Sequence, residues 1–66
     1  MLVRLKSQLI ETVEYNEQRR MLRISLIDGS KRMFSEVPKS TVDGLILARS
    51  PGTYYINHIR TQYPRH

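Results

Sequence analysis

Apolar and polar residues alternate with a period of two along much of the first 37 positions. Over residues 8–15, Leu9, Val13 and Tyr15 fall on one side and Ile10, Thr12 and Glu14 on the other, which predicts a first strand. The polar run Asn16-Glu17-Gln18-Arg19-Arg20 has the length of a hairpin connection. Over residues 21–27, Leu22, Ile24 and Leu26 alternate with Met21, Arg23 and Ser25, the clearest two-residue period in the chain. Asp28-Gly29 follows, and Asp-Gly between two such runs predicts a tight hairpin turn with positive φ at both central residues. Residues 30–37 then form a third strand, with Phe34 in the core.

At Pro38 the pattern changes, because proline cannot donate to a sheet ladder but suits the opening of a helix. A short helix starting at Pro38 or Ser40 places Val42, Leu45 and Ile46 at helical spacing. Gly44 within it costs about 1 kcal/mol relative to alanine, so helix packing or a close backbone approach has to compensate. Ser50-Pro51-Gly52 interrupts the chain, and Thr53 is the expected N-cap of a second helix over residues 54–62. Tyr55, Ile59 and Tyr63 recur every four residues and form its core stripe, leaving Tyr54 as the exposed ring, and Pro64 ends the helix. The predicted fold class is α+β: a three-stranded antiparallel β-meander followed by two short helices packed on one face, in the order β-β-β-α-α. A single domain spans residues 1–66, with its core at about 7–64 and flexible ends at 1–6 and 65–66.

Composition narrows the chemistry. No cysteine is present, which excludes a disulfide framework, thiolate metal ligation and a cysteine nucleophile. Arg4 and Lys6 interrupt the apolar residues at the N-terminus, unlike the core of a secretory signal. The longest uncharged stretch, residues 50–59, contains Pro51 and Gly52 and is far shorter than the roughly 20 apolar residues of a membrane helix. The expectation is a soluble cytoplasmic protein.

Eleven lysines and arginines face six acids, giving a net charge of +5. The asymmetry is local: residues 44–66 contain Arg49, Arg60 and Arg65 and no acid at all. Arginines without nearby carboxylates suit an anionic partner. Tyr54 and His58, interleaved with Arg49 and Arg60, add rings on which a nucleobase can stack. A glycine-containing turn before a helix start beside Arg49 has the make-up of a phosphate site. The bland alternative is that Tyr55, Ile59 and Tyr63 are core residues and that Arg60 pairs with Glu11 or Glu14.

Catalysis has few candidates. His58 has no carboxylate near it in sequence, and His66 is the last residue. Asp28 belongs to a turn and Asp43 to a helix start. No serine or threonine stands in a nucleophile motif, the glycines form no phosphate loop, and His, Asp and Glu do not cluster as metal ligands. The expectation is a protein that is not an enzyme and carries no cofactor or metal.

Taken together, Ile10…Val13-x-Tyr15, Leu22-x-Ile24-x-Leu26-x-Asp28-Gly29, Val37-Pro38, Ala48-x-Ser50-x-Gly52-x-Tyr54-Tyr55 and His58-Ile59-Arg60-x-x-Tyr63 resemble the KTSC domain. That family is named for its place at the C-terminus of some lysyl-tRNA synthetases and also occurs as free-standing single-domain proteins. The resemblance covers residues 7–64. It departs where the family's Tyr-x-Tyr falls on Arg32-Met33-Phe34 and where the family's asparagine after the aromatic pair falls on Ile56. What the resemblance implies is RNA binding, suggested by the synthetase context.

These features converge on a non-catalytic module for RNA or another phosphate-bearing ligand. Arg32, Arg49 and Arg60 supply charge, and Tyr54 and His58 supply stacking or hydrogen bonds. Two alternatives remain open: a homo-oligomeric protein that sequesters a small nucleotide, and a structural adaptor that docks a partner through a sheet edge or through Leu2 and Leu5.

Overall fold

The computed structural model describes residues 1–65, so His66 lies outside the described residues. Six elements follow in order: strands β1 (Leu2–Arg4), β2 (Ile10–Asn16), β3 (Met21–Leu26) and β4 (Lys31–Phe34), then helices α1 (Lys39–Leu47) and α2 (Pro51–His58). The strands form one antiparallel sheet in the order β1-β2-β3-β4, and both helices cover one of its faces. The α+β meander is as expected, but it has four strands, not three. Residues 2–4, expected to be flexible, pair with β2 through Leu2↔Glu14, Val3↔Val13 and Arg4↔Thr12. Their alternation is too short to register as a strand in sequence, yet β2 offers a complete edge for them to pair with.

The inward set on β2 is also revised. Ile10 pairs with Leu26 while Thr12 pairs with Ser25, so β2 carries one residue more than β3 over this interval. This β-bulge shifts the alternation, and Ile10 joins Val13 and Tyr15 in the core although it is three residues from Val13. Simple alternation had placed Ile10 outward.

The Asp-Gly hairpin forms, with a different turn. Gly29 has φ +92°, whereas Asp28 has no positive φ. The Gly29 N–H donates to the Leu26 carbonyl and the Leu26 N–H to the Ser30 carbonyl, at 3.0 and 2.8 Å. The loop therefore has three residues, closed by a left-handed glycine. The Asp28 carboxylate accepts hydrogen bonds from the Ser30 N–H and hydroxyl at 2.9 and 2.6 Å. These bonds hold its pKa below the ordinary carboxylate value.

Pro38 is the N-cap residue of α1, which buries Val42 and Leu45. Asp43 sits in mid-helix, where it pairs with Lys39 at 3.1 Å across one turn, and not at the helix start. Ser50, not Thr53, is the N-cap of α2, and Pro51 takes the first helical position, where the missing N–H costs nothing. Gly52 and Thr53 are thus inside the first turn. The helix also ends at His58, four residues earlier than the tyrosine stripe suggested. The chain then turns and lies beside β4, where the Ser35 N–H donates to the Pro64 carbonyl at 2.9 Å and Phe34 bridges to Arg65. The Arg65 backbone is accordingly paired with β4.

Two contacts seal the core. Tyr55 meets Phe34 edge-on, with ring centroids 6.0 Å apart. The buried Tyr15 hydroxyl donates to the Val37 carbonyl at 2.6 Å and ties β2 to the segment that leads into α1. Tyr55 and Ile59 are buried and Tyr63 half-buried, so the expected stripe is a core stripe.

Two stability predictions follow from these contacts. A Cβ on Gly29 would meet nothing within 4 Å, so any penalty there is purely conformational. Gly29→Val should lower unfolding free energy by more than about 1 kcal/mol in urea denaturation. Tyr15→Phe keeps the ring but orphans the buried Val37 carbonyl, and should cost about 1–3 kcal/mol in the same assay.

Candidate functional site

Helix α2 distributes its side chains in three directions. Tyr55 and Ile59 face the core. Thr53 and Ile56 face a shallow cleft of about 350 Å³ between the start of α2 and residues 6–9, where Lys6, Ser7 and Arg49 also lie. Tyr54 and His58, one turn apart, lie on the flank toward α1.

Gly44 explains the position of Tyr54. A Cβ at Gly44 would stand 2.8 Å from the Tyr54 Cζ, so only glycine lets the ring lie across α1. Of the two compensations expected, helix packing is the one found, made by a side chain and not by backbone. Tyr54 is therefore half-buried, where the sequence suggested an exposed ring. Its outer side meets the exposed His58 ring, with centroids 4.7 Å apart and planes tilted by 44°.

The cleft has a comparable constraint. A Cβ on Gly52 would stand 3.2 Å from the Leu9 Cβ, so glycine lets residues 7–9 close on the helix. The Ser7 hydroxyl oxygen accepts hydrogen bonds from the Leu9 and Ile10 N–H groups, both at 3.1 Å, and fixes the turn that brings Lys6 there. Lys6 was missed because the N-terminal segment was expected to be flexible. The signal available was Ser7 two and three residues before apolar positions, a local capping pattern.

The five residues singled out from sequence do not form one cluster. Tyr54 and His58 touch each other, Arg49 lines the cleft on the opposite flank of α2, and Arg60 is exposed in the turn after the helix. Arg32 stands apart on β4, where its guanidinium donates to the Lys31 carbonyl at 3.0 Å and its charge acts on Asp28. Glu14, a possible partner of Arg60, pairs instead with Arg23 at 3.4 Å. That pair and Lys39–Asp43 are the ion pairs between side chains among the described residues. Nine of the eleven lysines and arginines thus have no carboxylate partner there.

Comparison with known proteins gives a consistent picture. The family model described as the KTSC domain matches residues 6–63. No curated protein matches the sequence. Among solved structures, the crystal structure of a KTSC domain protein from Yersinia pestis superimposes with a TM-score of 0.93 at 20% identity, covering 100% of this chain and 93% of that one. No helix among the described residues is long and apolar enough to cross a membrane.

The dependence of Tyr54 on Gly44 is testable. Gly44→Ala should push the ring off α1 and break its contact with His58. The His58 ring-proton shifts in NMR should move toward their values in Tyr54→Ala, while the core methyl resonances stay in place.

Proposed function

Because the chain belongs to the KTSC domain family, we propose that it is a small non-catalytic cytoplasmic module that binds RNA or another phosphate-bearing ligand. The observation that carries this reading is the layout of α2. The Tyr54–His58 ring pair is partly open to solvent, Arg49 precedes the helix, Arg60 follows it, and no acid occurs from Gly44 through Arg65. Eight helical residues span roughly 12 Å, so Arg49, on the cleft flank at one end of α2, and Arg60, beyond its other end, leave between them the length of a short run of nucleotides crossing the helix. A base meets the ring pair, and flanking phosphates meet guanidinium groups unopposed by carboxylates.

The polar groups that a hydrolase would need are otherwise engaged or dispersed. Asp28 holds a turn, Asp43 pairs with Lys39, and His58 lies on Tyr54. The cleft with Lys6 and Arg49 favours a second reading, a small nucleotide held there and shared between subunits.

Salt-dependent binding of single-stranded RNA tests the proposal. Three or four phosphate contacts give a log–log slope of roughly −2 to −3 against salt concentration. Arg49→Ala should flatten it by about 0.7 and weaken all sequences alike. Tyr54→Ala should cost about 1–3 kcal/mol with the slope nearly unchanged. Folded variants that bind as well as wild type would sink the α2 site. A purified wild type that retains a nucleotide but ignores RNA would transfer the assignment to the cleft.

A further inference from the structure

The helices cover one face of the sheet, and the other face has a chemistry of its own. Strand register aligns two outward rows across all four strands. One row runs Arg4–Thr12–Ser25–Lys31 and the other Leu2–Glu14–Arg23–Met33. In the first, cations stand on both edge strands and hydroxyls on the two central ones. With strands about 4.8 Å apart, the Arg4 and Lys31 Cα atoms are separated by roughly 14 Å. Both side chains are exposed and make no ion pair among the described residues. Glu14 is the one acid in the two rows, and Arg23 neutralises it at 3.4 Å. The two rows therefore carry a net charge of +2, with hydroxyls along the middle of the first, and the exposed Glu11 stands beside them as the extra residue of the β2 bulge.

We infer that this open sheet face is a second nucleic-acid contact, a base-independent platform on which Arg4 and Lys31 hold backbone phosphates. It rests on the proposal that the protein binds RNA, and it adds a surface remote from α2. The two rows contain no aromatic ring, so bases have nothing to stack on and the contact reads charge alone. A second copy is disfavoured, because stacking two such faces opposes cations of like sign. A protein partner would need an apolar centre to its interface. The rows offer Leu2 and Met33, each at a sheet edge, and a centre of polar and charged groups; Met1 and Met21 join Met33 only at one end of the face, around a hollow of about 540 Å³ that Glu14, Arg19 and Arg23 also line. A phosphate chain requires only the cations and the hydroxyls.

The platform and the Tyr54–His58 pair lie on opposite sides of a molecule measuring 28 × 22 × 22 Å, with the sheet between them. A short strand cannot reach both, so each face takes its own, and the protein can bridge two segments of nucleic acid.

The test titrates a short oligouridylate at low salt, with native mass spectrometry for stoichiometry and fluorescence anisotropy for the salt slope. Wild type should bind two oligonucleotides per chain, and folded Arg4→Ala/Lys31→Ala should bind one, with the slope of the combined binding flatter by about 1.4. Wild-type stoichiometry and slope in the double variant would overturn the platform and leave the α2 proposal standing. Complete loss in the double variant, with Arg49→Ala and Tyr54→Ala binding normally, would retain the platform and overturn the α2 site. Equal affinity for a poly-glutamate peptide would overturn the assignment to nucleic acid. No RNA binding by wild type would overturn both.

Discussion

The fold depends on covering one apolar face of a four-stranded sheet with two short helices. Ile10, Val13, Tyr15, Leu22, Ile24, Leu26 and Phe34 present that face, and Val42, Leu45, Tyr55 and Ile59 close it. Burying each of the larger side chains is worth about 1.5–3 kcal/mol, so no member is spare in a chain this small. The economy shows in the glycines. Gly44 admits the Tyr54 ring and Gly52 admits Leu9, so two positions that weaken a helix locally allow the layers to close. Tyr15 contributes at both levels, because its ring packs in the core and its hydroxyl satisfies the Val37 carbonyl where the sheet gives way to α1.

The elements with strong periodicity were legible in sequence. The β3 alternation, the hairpin glycine, the Pro38 boundary and the Tyr55–Ile59 stripe all appear in the structure near their expected places. What escaped depended on partners distant in sequence or on single-residue irregularities. β1 exists because β2 offers an edge, and three residues carry too little pattern to announce it. The bulge that turns Ile10 inward adds one residue, which a period-two template reads as the wrong face. The start of α2 was displaced because Thr53 has good capping chemistry, yet Ser50 holds the N-cap position three residues earlier without a side-chain cap, and Pro51 takes the first helical position.

The candidate site was legible as chemistry and not as geometry. The sequence identified the cations and rings, but linear proximity around α2 hid their division between its two flanks. Arg32 was further misleading, since its place beside Ile24 in the ladder puts it on the helix-covered side at the sheet edge. By contrast, the row containing Arg4 and Lys31 joins residues 27 positions apart and becomes visible only once the strand register is known.

Chain order also has a consequence for truncation. The meander pairs neighbouring strands only, so every strand pairing lies within residues 2–34, while Tyr55 and Ile59, which close the core, come more than twenty residues later. A chain cut before Pro51 therefore keeps all four strands and α1 but loses the two side chains that cover the sheet beside Phe34. Such a fragment would present an apolar sheet face to water and to other copies of itself, a sticky sheet and not a smaller folded domain.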